Sequence, residues 1–293
     1  MAAVALTLAV IDCQPIRTEI RMAQEQIRLD GRVAVVTGST RGIGRAIVER
    51  LGRAGAKVVV SSSRAEAVAQ AAAELSAQGI AAIGVACNVS ERAQVEQLRD
   101  AAIAKWGKVD IWINNAGISG PFALTLDVPP ETWEQVIRIN LMGTYYGSAA
   151  ILPHMIANRY GKLINLSGGG AKRAQRFLSA YSTTKAAIVR FTEGLARDYA
   201  DQRFLAINVL TPTIVPTDMT DLMTDKAIGK TASEALKQFP RVQKIFGAPA
   251  SETAEIALRM ASSATDGVSG KVFEQMPRHR AIWRLAKSLF SKG

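Results

Sequence analysis

The sequence predicts an α/β protein built on a doubly wound parallel sheet in three layers, and three observations carry that expectation. Val33-Ala34-Val35-Val36 is a short, mostly β-branched run of the kind buried on both faces of a parallel sheet. It breaks into a glycine-rich turn from Thr37 to Gly44, and Arg45–Leu51 then has helical periodicity. From Arg32 onward, strand-length apolar runs alternate with helix-length segments. Such alternation implies parallel strands joined by right-handed helical crossovers, with a ligand crevice at the carboxyl ends of the strands.

Taken in order, Lys57–Ser61 reads as a strand, and Ala65–Gln78 as an alanine-rich helix closed by Gly79. Ile80–Ala86 is a strand, and Glu91–Trp106 a helix that Ser90 can N-cap. Val109–Asn114 is a strand, Ala116–Pro130 a loop, and residues 131–158 one long helix. The stretch 139–158 carries no Lys, Arg, Asp or Glu and is long enough to cross a membrane. Asn140, Thr144, Ser148, Pro153 and His154 inside it favour a helix buried against protein instead. Lys162–Leu166 is a strand, followed by a glycine loop, a helix over 180–199 and a sixth strand, Phe204–Leu210. Residues 211–250 form a long segment rich in Thr, Lys and Pro, and such segments are often lids or binding loops. Asp225–Gln238 within it has the pattern of a mobile helical cap. Glu252–Ala261 is a helix and Lys271–Phe273 a last short strand. The division expected is an extension (1–28), one domain (29–275) and a basic tail (276–293).

Composition bounds the function classes. With 293 residues, the chain can bury a full core. Cys13 and Cys87 give no disulfide framework, so reduced thiols and a cytoplasmic setting are the expectation. His154 and His279 are the only histidines, and no ligand cluster accompanies them, so no metal is expected. The net charge is +11, and five basic residues with no acidic one crowd the last 19 positions. A nucleic-acid reading rests on that charge alone, without interleaved aromatics or zinc-knuckle spacing. Ile282, Trp283, Leu285, Leu289 and Phe290 form an apolar stripe for a short basic helix in the tail. Docking on a neighbouring subunit is preferred there over contact with an anionic membrane.

The chemistry concentrates in a few places. Gly38, Gly42 and Gly44 allow positive φ and close backbone approach, and the helix after them offers free N–H groups and a dipole to a phosphate. Ser39, Thr40, Arg41 and Ile43 complete that turn. Tyr181 and Lys185 stand at i and i+4 on one helical face. A neighbouring cation favours phenolate, so the lysine is expected to draw the tyrosine's pKa toward the range of an acid/base catalyst.

Four signals in order give a resemblance: Thr37-Gly38-x-x-x-Gly42-x-Gly44, Asn114-Asn115-Ala116-Gly117, Asn140 in the long helix, and Tyr181-x-x-x-Lys185. From about Leu29 to Phe273 the chain resembles a short-chain dehydrogenase/reductase, which implies a Rossmann-type fold. The resemblance makes Tyr181 the acid in reduction and the base in oxidation. Lys185 would hold the nicotinamide ribose, and Asn140 would anchor a water that passes protons from the lysine. Asn115, Ala116 and Gly117 would close the cofactor cleft. It also implies a homodimer or homotetramer paired through helices 131–158 and 180–199. The activity implied is interconversion of a carbonyl and a secondary alcohol; the rival is a non-catalytic dinucleotide-binding regulator or scaffold.

Ser62 and Arg64 follow the second strand, where an acid would hold the ribose of NAD(H); together with Arg41 they favour NADP(H). Asn88 and Val89 would lie against the adenine. Two departures from the family pattern stand out. Pro212-Thr213 replaces the usual Pro-Gly after the sixth strand, leaving Thr217 to reach the nicotinamide amide or the phosphates. The serine expected 13 positions before Tyr181 is Gly168, so Ser167 is expected to shift in as the hydroxyl donor. Lys172, Arg173 and Arg176, with the lysines of the cap, are read either as a field for an anionic carbonyl substrate or as solvated charges balanced by nearby acids.

Overall fold

The computed structural model describes residues 27–217, 219 and 227–290. Seven strands form one parallel sheet in the order β3-β2-β1-β4-β5-β6-β7. They are β1 (Val33–Val36), β2 (Lys57–Ser62), β3 (Ala82–Ala86), β4 (Ile111–Asn114), β5 (Gly161–Leu166), β6 (Leu205–Thr211) and β7 (Val272–Glu274). The order reverses between β1 and β4, and a crevice opens at their carboxyl ends at such a point.

Helices cover both faces. On one lie α1 (Gly42–Arg53), α2 (Ala65–Ala77) and, from late in the chain, α9 (Ala250–Ala261). On the other lie α3 (Arg92–Trp106), α5 (Gly143–Ala157) and α6 (Ser179–Asp198). The period of two in the strands divides the core accordingly. Ala34, Val36, Val58, Val60, Ile111, Ile113 and Ile164 pack toward the first set, and Val33, Val35, Val59, Trp112 and Leu163 toward the second. Each large aliphatic side chain removed from water here contributes roughly 1.5–3 kcal/mol, which is why the central strands are continuously apolar.

The long helix is interrupted. It runs as α4 (Pro130–Ile137), a π-helical turn (Arg138–Met142) and α5, with Asn140 inside the widened turn. Ser90 does not cap α3: its hydroxyl donates to Asn88 Oδ1 at 2.8 Å, and the helix begins at Arg92 without a side-chain cap. The 211–250 segment contains two short helices, α7 (Lys230–Leu236) and α8 (Phe239–Phe246), in place of one helix over 225–238. Gly229, at φ +87°, starts α7, while Asp225 and Lys226 lie outside the described residues.

This segment ties into the crevice. Ile228 bridges Ala123, Gly247 bridges Ile214, and the Ala123 N–H donates to the Phe177 carbonyl. The basic tail forms α10 (Arg278–Phe290), which Arg284 fastens to the Gly247 carbonyl. Ile282, Trp283 and Leu285 face outward on it. The expectations for residues 1–26, and for the side chains of Leu289 and Phe290, fall outside what the structure describes. Among the described residues no helix is long and apolar enough to cross a membrane, and no group of side chains could hold a metal.

Candidate active site

The glycine turn is locked to the strands around it. The Thr37 hydroxyl accepts the N–H groups of Asn115 and Ala116 at 3.0 and 3.1 Å. Asn115 Nδ2 donates back to the carbonyls of Thr37 and Gly38. Buried Ser39 fastens the turn to β2: its hydroxyl donates to Val36 O and accepts the Ser61 N–H. Gly38 and Gly42 have φ of +63° and +58°, a region that side chains rarely adopt. A Cβ on Gly44 would collide with Gly38 O and Asn115 Nδ2.

Arg41 sits exposed at the N-cap of α1, with Thr40 and Ile43 half-buried beside it. The first turn of α1 has neither an acidic residue nor a side-chain cap, so its N–H groups fit a dinucleotide's phosphates. Thr217 closes over this turn, its methyl 3.2 Å from where a Gly42 Cβ would stand. Ser62 ends β2 and accepts the Arg64 N–H, while the Arg64 side chain is exposed. Beyond β3, Asn88 Oδ1 is taken by Ser90, and Val89 fills the space beside Gly143.

Tyr181, Lys185 and Asn140 converge where β4 and β5 end. Asn140 Oδ1 accepts the Ile118 N–H at 2.8 Å, and its Nδ2 donates to Ile118 O and to the Thr184 hydroxyl. Asn140 Oδ1 and Lys185 Nζ lie 3.1 and 3.7 Å from a built Gly117 Cβ, so both flank Gly117. Below them, buried Asn114 links β4 to Ser148 and to Asn165 of β5, and Asn165 Nδ2 reaches Thr192 of α6. This polar net fixes α5 and α6 against the sheet. Thr184 had no role in the sequence reading; its signal was its place beside Lys185 within the Tyr-x-x-x-Lys pattern.

Two expectations change here. Lys185 Nζ donates to Leu166 O at 3.0 Å and stands 5.5 Å from the centre of the Tyr181 ring. Burial governs both groups, pushing the Tyr181 phenol up to about 12 and the Lys185 ammonium down to about 8. The expected lowering of the tyrosine is therefore absent, because desolvation outweighs the neighbouring lysine. The second change concerns Ser167. Its hydroxyl gives its one proton to the Lys185 carbonyl at 2.9 Å and is buried there. It is Gly168 that faces the phenol: a Cβ built on it would lie 2.5 Å from Tyr181 Oη. The shift of Ser167 into the site does not occur.

The lysine shift has a measurable sign. Between about 8 and its ordinary 10.5, the unfolded chain holds a proton that folded Lys185 has released, so this group makes stability rise with pH. Tyr181 acts oppositely between 10.0 and about 12, where the folded phenol keeps a proton that the unfolded chain loses. In ligand-free protein, the lysine Cε resonance that Lys185→Arg removes should titrate near pH 8. A midpoint above 10 would mean that Nζ reaches water.

Two loops meet beside α6. Phe122, after β4, packs against Phe177, after β5, with ring centres 4.8 Å apart and planes tilted by 37°, and Arg176 lies over Phe177. Phe177 is buried at φ +69°, an uncommon backbone state for a bulky residue and one often found at functional sites. No sequence signal marked it. A cavity of about 660 Å³ opens on the flank of α6, walled by Leu124, Phe177, Arg176, Ser182 and Ala186; Tyr181 does not line it. Lys172, one of the cations in this loop, is paired with Glu274.

Comparison with known proteins agrees with this geometry. A family model described as short chain dehydrogenase matches residues 32–227. A 3-oxoacyl-[acyl-carrier-protein] reductase of Aquifex aeolicus is 35% identical over 253 residues, covering 84% of this chain and 96% of that protein. Glucose 1-dehydrogenase 2 of Bacillus subtilis is 33% identical over 244 residues, covering 83% and 92%. A crystal structure of a gluconate 5-dehydrogenase from Burkholderia cenocepacia, in complex with NADP and tartrate, superposes with a TM-score of 0.74 at 32% identity, covering 85% of this chain and 94% of that one.

Proposed function

The chain belongs to the short-chain dehydrogenase/reductase family of NAD(P)-dependent oxidoreductases, and from that premise we propose that it interconverts a carbonyl and a secondary alcohol with NADP(H) as the preferred cofactor. The observation that carries this reading is the meeting of Tyr181, Lys185 and Asn140 beside the glycine turn. Gly38–Gly44 would hold the phosphates, Thr217 the nicotinamide amide and the phosphate next to it, Asn88 and Val89 the adenine, and Lys185 the nicotinamide ribose. The bound cofactor supplies or accepts a hydride.

Tyr181 Oη gives a proton to the carbonyl oxygen in reduction and takes it back in oxidation. A phenol raised by burial is protonated at neutral pH, which suits the reducing direction. Asn140 Nδ2 donates to the Thr184 hydroxyl, which donates to the Tyr181 backbone carbonyl, and this ties the tyrosine's turn of α6 to the π turn. Turnover of a panel of ketones and alcohols with both cofactors tests the reading, and a protein that binds the dinucleotide yet converts none of them would oppose it. The relatives include an acyl-carrier-protein reductase, a glucose dehydrogenase and a gluconate dehydrogenase, so the panel should include a β-ketoacyl thioester and an aldonate.

Cofactor preference has its own test. Ser62 stands where a carboxylate would hold the ribose of NAD(H), and the guanidinium groups of Arg41 in the glycine turn and Arg64 after β2 suit a 2′-phosphate. NADP(H) should bind more tightly than NAD(H), and Ser62→Asp should reverse the order. Equal affinities in the parent protein would refute the preference.

A homodimer or homotetramer is proposed as the assembly, with α10 docking on a neighbouring subunit through outward-facing Ile282 and Trp283. Cutting the chain after Met276 should then lower the mass seen by light scattering. An unchanged mass would make α10 a mere appendage.

A further inference from the structure

Gln275, the residue after β7, is only 3% exposed and holds the turn after β6. Its Oε1 accepts the Thr213 N–H at 3.1 Å and the Thr253 hydroxyl of α9 at 2.8 Å, and its own N–H donates to Thr211 O. The Thr213 hydroxyl in turn donates to Phe246 O at the end of α8, and the Ala248 N–H donates to Ile214 O. One buried amide thus joins β7, α9 and the turn that leads through Val215 and Pro216 to Thr217. Thr217 is the residue packed over Gly42.

The amide's orientation is dictated by its partners. Thr213 presents an N–H, so a flipped amide would set donor against donor. Oε1 must face Thr213, and that leaves Nε2 buried without a partner. A buried orphan donor is costly and calls for an explanation. It follows here from spending the oxygen on the turn.

We propose that Gln275 is a positioning residue that clamps the turn after β6 and, through Thr217, sets how tightly the nicotinamide half of the dinucleotide is held. The proposal rests on the dinucleotide-binding reading above. It goes further in assigning this half of the site to a residue that touches no ligand. Gln275→Leu removes the acceptor from both Thr213 and Thr253 at similar volume. Gln275→Glu keeps the acceptor, and burial keeps its carboxyl protonated, so an O–H donor stands where the amide donor stood.

Calorimetric titration with NADPH and with 2′,5′-ADP, which lacks the nicotinamide half, separates this role from general loosening. Gln275→Leu should weaken NADPH by about tenfold, the worth of roughly one hydrogen bond, and leave 2′,5′-ADP unchanged. Gln275→Glu should bind both as the parent protein does. Equal losses for the two ligands, or no loss for either, would overturn the clamp. Hydrogen exchange tests the clamp without any ligand or variant: the Thr213 amide should exchange slowly in the parent protein, and fast exchange there refutes it. If the parent protein binds neither nucleotide, the dinucleotide reading is the one that fails, and the clamp's share in binding fails with it.

Discussion

Tyr181→Phe should lower kcat by about 10²–10⁴-fold or more while NADPH affinity changes little, because a general acid contributes about that much and the change removes one oxygen. The ring would stay against the loop after β5, where Gly168 faces its outer end, so the variant tests chemistry rather than packing. The phenol is the acidic group that this geometry offers to a carbonyl oxygen. Lys185 Nζ is engaged with Leu166 O, and the Ser167 proton is committed to Lys185 O. The parent protein's rate of reduction should therefore stay level through neutral pH up to the range near 8 where Lys185 loses its proton, and fall further as the phenol ionises. A Tyr181→Phe variant with near-normal turnover would remove the tyrosine from the chemistry, and the mechanism with it.

What the sequence made legible follows from how strongly each feature is coupled to a local pattern. β1 and β5 were readable because burial on both faces demands uninterrupted apolar residues, and α2 because Gly79 ends it. The π turn at Arg138–Met142 was hidden, since the helix that follows it is apolar nearly all round and carries no period for an extra residue to break. The glycine turn was legible because Gly38 and Gly42 need positive φ and Gly44 has no room for a Cβ. Positions set by distant partners were not. The burial of Lys185 outweighs the effect of its spacing from Tyr181, and the Gln275–Thr213 contact joins residues 62 apart in the chain. Phe177 carries a strained backbone that no residue type announces.

Gly168 should be intolerant of a side chain, and its variants should reveal whether the missing hydroxyl matters. Gly168→Ala puts a methyl 2.5 Å from the present position of Tyr181 Oη, so the phenol must move. Displacing a reacting group by about 1 Å costs on the order of 10²-fold in rate, and kcat should fall by about that much. Gly168→Ser forces the same displacement but adds a donor near the substrate oxygen, and such a donor is typically worth roughly 10²–10³ in rate. The serine variant should therefore recover part of what the alanine variant loses without exceeding the parent protein, whose phenol already occupies that space. Ser167→Ala should leave turnover near normal and lower stability by about 1 kcal/mol, the worth of its bond to the Lys185 carbonyl. A serine variant faster than the parent would show that the phenol yields readily and that the parent works short of a donor. A Ser167→Ala variant with collapsed kcat would return the donor role to Ser167, and would require its hydroxyl to leave Lys185 O when substrate binds.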